Sequence, residues 1–185
     1  AVYKRQSERL VLYRYPEKIA SVLVYKNEEL VLQRDFKGDF GRSSSIINIS
    51  DYDNDGSDEI ILFTEFKDSL FLNSIDVMSN IVEFREVPLC RVYKLHEVSS
   101  YQISNIVTYD VDKDGIKEFF FSVSTGYSVR PRRVFSYYPA EGRLCVSPEY
   151  CAIINNLSIS DLDDDGIPEI LSLIHISEPT RLRRI

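Results

Sequence analysis

The stretch Asp51-Tyr-Asp-Asn-Asp-Gly-Ser-Asp-Glu59 (DYDNDGSDE) places five carboxylates in nine residues with no basic side chain among them. Two unit charges about 4 Å apart repel by ~1 kcal/mol in bulk water and by ~4 kcal/mol at an effective dielectric near 20. A compact loop of this composition therefore needs a counter-charge. A solvated acidic loop is the simplest alternative, but the spacing argues against it. Asp51, Asp53 and Asp55 stand at positions 1, 3 and 5, Gly56 at position 6 and Glu59 at position 9. Alternate side chains can converge on one point while the glycine permits a sharp turn. Several anionic oxygens so arranged suit a hard cation such as calcium.

The pattern recurs. Asp110-Val-Asp112-Lys-Asp114-Gly115-Ile-Lys-Glu118 and Asp161-Leu-Asp163-Asp-Asp165-Gly166-Ile-Pro-Glu169 carry acids and glycine at the same positions. The three stretches begin at residues 51, 110 and 161, so they are 59 and 51 positions apart, the period of a structural repeat. An EF-hand loop also opens with acids at positions 1, 3 and 5 and glycine at 6, but it requires a bidentate glutamate at position 12 and helices on both sides. Position 12 here is Leu62, Phe121 and Ser172. The flanks Ser45–Ser50, Ile60–Thr64 and Phe119–Val123 are rich in β-branched and aromatic residues and read as strands. No segment of useful length shows a helical period, so the predicted fold class is all-β.

The three motifs resemble the D-x-D-x-D-G-x-x-D/E-hydrophobic loops of FG-GAP/VCBS repeats, known from integrin α-subunit propellers and from bacterial secreted or surface proteins. Glu stands here at the ninth position in place of the commoner Asp. The resemblance covers most of residues 43–171. It implies a partial β-propeller of four-stranded antiparallel blades, in which each acidic loop joins the first two strands of a blade and wraps one Ca2+, up to three in all. The implied ligands of the first loop are the side chains of Asp51, Asp53, Asp55 and Glu59 and the carbonyl of Ser57. In the second they are Asp110, Asp112, Asp114 and Glu118 with the Ile116 carbonyl, and in the third Asp161, Asp163, Asp165 and Glu169 with the Ile167 carbonyl. Water completes about 6–8 oxygens around each ion. Lys113 and Lys117 lie in the second loop, which is therefore expected to bind most weakly.

The remaining chain reads in the same period. Glu59–Phe66, Ser69–Val77 and Ile81–Leu89 follow the first loop, with Met78-Ser-Asn80 as a hairpin break, and together with Ser45–Ser50 they make a blade over residues 43–90. Ile103–Tyr109, Glu118–Val123, Arg133–Tyr138 and Arg143–Val146 make a second over 91–150, turning at Pro139-Ala-Glu-Gly142. Ala152–Ser160 opens a third over 151–170. Arg9–Tyr15, Ser21–Tyr25 and Leu30–Phe36 read as the later strands of a truncated blade over 1–42. A propeller closes with about 4–8 blades, so the chain is expected to be a fragment with open edges. Residues 171–185, LSLIHISEPTRLRRI, resemble a translated sequencing adapter and are expected not to be native.

Apart from that tail, residues 1–170 carry 19 basic and 28 acidic side chains, and 14 of the acids lie in the three loops. A net charge of −9 argues against nucleic-acid binding, and three calcium ions would offset most of it. His96 is the only histidine outside the tail, which leaves little from which to build a zinc site or a catalytic triad. With no phosphate loop or nucleophile elbow either, the chain is not expected to be an enzyme. Cys90, Cys145 and Cys151 are odd in number, and Cys145 and Cys151 are as consistent with a small disulfide as with free thiols. The sequons at Asn48 and Asn156 fall on predicted inner strands and are discounted. Thr125–Arg133, with Arg130, Arg132 and Arg133, reads as a loop whose basic patch is either solvated or able to bind an acidic partner.

These readings lead to a non-catalytic, calcium-stabilised propeller of a secreted, periplasmic or cell-surface protein, serving adhesion, ligand recognition or a sensor ectodomain. Its ligand, protein or carbohydrate, is not identified by the sequence, and this piece contains no membrane span. The alternatives are an accessory or substrate-binding propeller of a larger secreted carbohydrate- or lipid-active enzyme, and an intracellular interaction scaffold.

Overall fold

Continuous apolar runs such as Glu59–Phe66 (EIILFTEF) cannot belong to a sheet with one wet face; both faces need cover. The computed structural model supplies it by stacking antiparallel sheets. It describes residues 2–5, 8–15, 19–40, 47–77, 81–92, 94–95, 98–99, 101–125, 132–150 and 153–175.

The first sheet is a meander of β1 (Val2–Arg5), β2 (Glu8–Tyr15), β3 (Ile19–Lys26) and β4 (Glu29–Lys37). It has four strands, where three were expected. Residues Asn27 and Glu28 both take positive φ, 50° and 70°, and make the tight turn between β3 and β4 without a glycine.

The second sheet contains β5 (Asp39–Phe40), β6 (Ile47–Ser50), β7 (Glu59–Phe66), β8 (Ser69–Asp76) and β9 (Ile81–Arg91). Strands β5 and β6 pair with opposite ends of the same side of β7. The predicted break Met78-Ser-Asn80 lies outside the described residues. A short hairpin of β10 (Lys94–Leu95) and β11 (Val98–Ser99) precedes the third sheet.

The third sheet repeats the second. Strands β12 (Tyr101–Ile103) and β13 (Val107–Tyr109) share one side of β14 (Glu118–Thr125), which continues through β15 (Arg132–Tyr138) to β16 (Arg143–Val146). The predicted single strand Ile103–Tyr109 is thus split at residues 104–106. Ser104 causes the split: its hydroxyl accepts the Ser122 N–H at 2.8 Å, while its own N–H donates to the Ser122 carbonyl at 3.0 Å. A side chain takes the place of a ladder carbonyl there. The turn expected at Pro139–Gly142 is present, closed by the Gly142 N–H on the Pro139 carbonyl.

Last come β17 (Ile153–Ser160) and β18 (Glu169–His175), antiparallel with a bulge between Ile154 and Asn156. Strand β18 runs into the adapter-like segment, Leu171–His175 pairing with Ile153–Ser158. An apolar run of β character pairs with an available edge whatever its origin.

Alternation along the strands divides the interior into two cores. Ile60 and Leu62 of β7 turn toward the first sheet, joining Ala20, Val22, Leu32 and Phe36. Ile61 and Phe63 turn the other way, joining Phe119, Phe121, Val123 and Phe135 of the third sheet. On its far side the third sheet meets the fourth through Ser122 Oγ, which donates to the Ile154 carbonyl, and through Asn105. The Asn105 amide both donates to the Leu157 carbonyl at 2.9 Å and accepts the Leu157 N–H at 2.8 Å. Consecutive sheets therefore stack face to face in chain order. Among the described residues no helix is long and apolar enough to cross a membrane.

Candidate metal centres

Each acidic stretch lies between the first strand of a unit and its central strand: β6 to β7, β13 to β14, and β17 to β18. All three adopt one conformation. Position 4 is left-handed, with φ of 60°, 62° and 59° at Asn54, Lys113 and Asp164, and the glycine at position 6 has φ of 92°, 96° and 87°. Asn and Asp tolerate the left-handed region best, so Lys113 is the poorest occupant of the three.

Carboxylates shape the turn through the backbone. The N–H of position 6 donates to the position 1 aspartate, Gly56 to Asp51 Oδ2 at 3.2 Å, Gly115 to Asp110 Oδ2 at 3.0 Å and Gly166 to Asp161 Oδ2 at 2.8 Å. The N–H of position 5 donates to Oδ1 of position 3 in every loop, at 3.1 to 3.4 Å. Position 9 closes the ring: Glu59, Glu118 and Glu169 Oε2 accept the N–H of Tyr52, Val111 and Leu162 at 3.0, 2.8 and 2.9 Å.

This folding gathers the acids of positions 1, 3 and 9. One oxygen from each of Asp51, Asp53 and Glu59 lies within 4.8 Å of the other two, and the same holds for Asp110, Asp112 and Glu118 and for Asp161, Asp163 and Glu169. Oxygens bound to one calcium at about 2.3–2.6 Å are at most about 5 Å apart. Each triad therefore fits a single ion. Asp51 Oδ1 is moreover buried with no hydrogen-bond partner, a position that ordinarily costs about 1–3 kcal/mol and that a cation would satisfy.

The aspartates of position 5 stand outside the triads. Asp55, Asp114 and Asp165 each use Oδ1 to accept the N–H of Ser57, Ile116 and Ile167, at 2.7 Å in all three loops. Of the expected ligands the structure thus brings together nine carboxylates, three per loop, and gives the position 5 aspartates a role in shaping the turn.

Burial differs between the sites. Glu59 and Glu118 are 0% and 1% exposed, covered by the stacked sheets, whereas Glu169 on the fourth sheet is half-buried. Burial pushes the Glu118 carboxyl above the ordinary carboxylate range; the Val111 N–H opposes this, and Asp112 and Asp114 add to it.

Two expectations change. The Lys117 ammonium leaves its own loop and donates to the Asp51 carbonyl at 2.6 Å, so its charge bears on the first site as well as the second. Thr125 ends β14, and Arg132 and Arg133 begin β15 rather than lying in a loop; Arg132 is buried and Arg133 pairs with Glu149, so neither offers a free basic patch. Arg130 and His96 lie outside the described residues. Cys90 and Cys145 are free thiols, the Cys90 thiol pushed up to about 11 by burial, and Cys151 lies outside the described residues. Asn48 donates its amide to the Ile106 carbonyl, in keeping with a strand position unsuited to a glycan, whereas Asn156 is exposed.

Gly115→Ala tests the turn alone. A Cβ there meets no heavy atom within 4 Å, so the cost is that of a left-handed alanine, about 1–2 kcal/mol. Urea denaturation in chelator should show that loss with an unchanged m-value.

Compared with known protein families, curated proteins and solved structures, the chain matches none.

Proposed function

We propose that this chain is a calcium-binding β-propeller repeat region of a secreted, periplasmic or cell-surface protein, non-catalytic, presenting a rigid surface for adhesion, ligand recognition or sensing. The observation that carries the reading is the identity of the three loops: the same left-handed position 4, the same glycine, and the same converging carboxylates of positions 1, 3 and 9. Independent solvated loops have no reason to share them. Face-to-face stacking of antiparallel sheets in chain order supports the propeller part of the reading.

An all-oxygen donor set with no histidine or cysteine favours a hard cation such as calcium over zinc or copper. The ion's contribution is electrostatic: it offsets the repulsion among the carboxylates and pins the turn between two strands. Asp51, Asp53 and Glu59, with their counterparts, hold it, while Asp55, Asp114 and Asp165 keep the turn closed around it.

Calorimetric titration of the chain with calcium should give three sites. Asp51→Ala, Asp110→Ala and Asp161→Ala should each remove one. Three sites that survive all three substitutions, or no heat at any concentration up to about 10 mM, well above the range of extracellular modules, would sink the reading.

A further inference from the structure

We propose that the first two metal loops bind their ions cooperatively through a direct seam between them, and that the third binds independently. This rests on the calcium reading above and goes beyond it.

Three hydrogen bonds make the seam. The Lys117 N–H donates to the Tyr52 carbonyl at 2.7 Å, Lys117 Nζ donates to the Asp51 carbonyl at 2.6 Å, and Asn54 Nδ2 donates to the Gly115 carbonyl at 2.5 Å. Every one of them abuts a ligand. Asp51 is itself a ligand, Tyr52 lies between Asp51 and Asp53, Lys117 precedes Glu118, and Asn54 follows Asp53. Behind the seam the Tyr52 ring packs edge-on against Phe119, the residue after Glu118, with centroids 5.0 Å apart.

The second and third loops lack these parts. Position 8 of the third loop is Pro168, which has no N–H to donate. Position 4 of the second loop is Lys113, exposed and without an amide acceptor or donor to match Asn54. Among the described residues no hydrogen bond joins residues 110–118 to 161–169, and those two units meet through their strands, at Asn105 and Ser122.

The sign of the coupling follows from what each ion must order. A metal-free loop of four or five carboxylates repels itself, so the first ion bears the cost of fixing its loop. Once fixed, that loop holds the seam carbonyls and donors in place for its neighbour, and the second ion orders less. Repulsion between the two ions opposes this. It acts across loops whose turns are solvent-exposed, where screening sets in at about 8 Å in physiological salt, and the loaded first loop still carries net negative charge while the second, with Lys113 and Lys117, is neutral. Ordering therefore prevails.

The test uses the full chain at about 0.15 M salt. With Asp161→Ala, only the seam-linked sites remain, and calorimetry should show each ion raising the other's affinity by at least about five-fold. Adding Lys117→Met and Asn54→Ala, neither of them a ligand, removes two of the three seam bonds and should lower that factor while both sites still fill. Asp51→Ala in the otherwise unchanged chain should leave two independent sites. Independent or anticooperative filling in the Asp161→Ala chain overturns the seam but leaves the metal reading standing, as does cooperativity that the Lys117 and Asn54 changes leave undiminished. Absence of calcium binding in every chain overturns both. Should Asp51→Ala fail to fold by circular dichroism, the Lys117/Asn54 pair, which keeps all ligands, decides the matter alone.

Discussion

Raising calcium from chelated to about 10 mM is expected to stabilise the chain by about 4–8 kcal/mol. Extracellular modules bind calcium with Kd of about 10⁻⁴–10⁻³ M, so each site is loaded to about 10–100 times its Kd and adds about 1.4–2.7 kcal/mol by mass action. Three triads give the total. For a chain of this size each kcal/mol moves the melting temperature by about 2–4 °C, so a rise on the order of 10–30 °C should appear in a thermal scan. Magnesium at the same concentration should do far less, because it demands near-octahedral geometry and gives up its water reluctantly.

The calcium increment should also depend on pH. In the metal-free fold Glu118 has a raised carboxyl pKa, so the folded chain holds that proton more tightly than the unfolded one. That contribution is fully present below the ordinary value and is lost as pH rises through the folded one. Calcium acts in the opposite sense, since it needs the carboxylate. The increment should therefore be small near pH 4, close to the ordinary glutamate value, and larger at pH 7. An increment of equal size at both pH values, or none at all, would count decisively against metal in these loops.

The loops and most strands were legible because their signals are local. Acids at alternate positions with a glycine at 6 form a pattern nine residues long, and the runs around β7 and β14 are too apolar for anything but buried strands. What escaped was non-local or disguised. The break after Ile103 was hidden because Ile103–Tyr109 keeps its strand character, and only the partner Ser122 reveals that the Ser104 hydroxyl has replaced a backbone acceptor. The turns at Asn27-Glu28 and Lys67-Asp68 take positive φ at both residues without glycine, and so carried no hairpin signal. Alternation points position 5 toward the same centre, and its Oδ1 accepts the backbone N–H of position 7, two residues on, much as the aspartates of positions 1 and 3 accept loop N–H groups. Lys117 and Asn54 reach across 66 and 61 residues, and no local pattern contains such a contact.

Phe121→Ala is expected to be the most damaging single substitution in the interior, and it separates the stacked core from the metal. Phe121 sits on β14 with no exposed surface, between Phe63 of the second sheet, edge-on at 5.0 Å, and Phe135 of its own sheet, stacked at 5.5 Å with the planes 7° apart. Truncation removes the ring from both pairs at once and leaves a void bounded by strands that pair on either side and cannot collapse into it. Large-to-small changes of this kind cost about 3–5 kcal/mol, and the aromatic pairs add about 0.5–1.5 kcal/mol each. The loss should be the same in chelator and in saturating calcium, because the side chain lies three residues beyond Glu118 on the face away from the fourth sheet. Chemical denaturation at both calcium levels reads this directly. If calcium restored most of the lost stability, the cages would be supporting the core from outside, and sheet stacking would be a consequence of metal binding rather than the frame that positions the carboxylates for it.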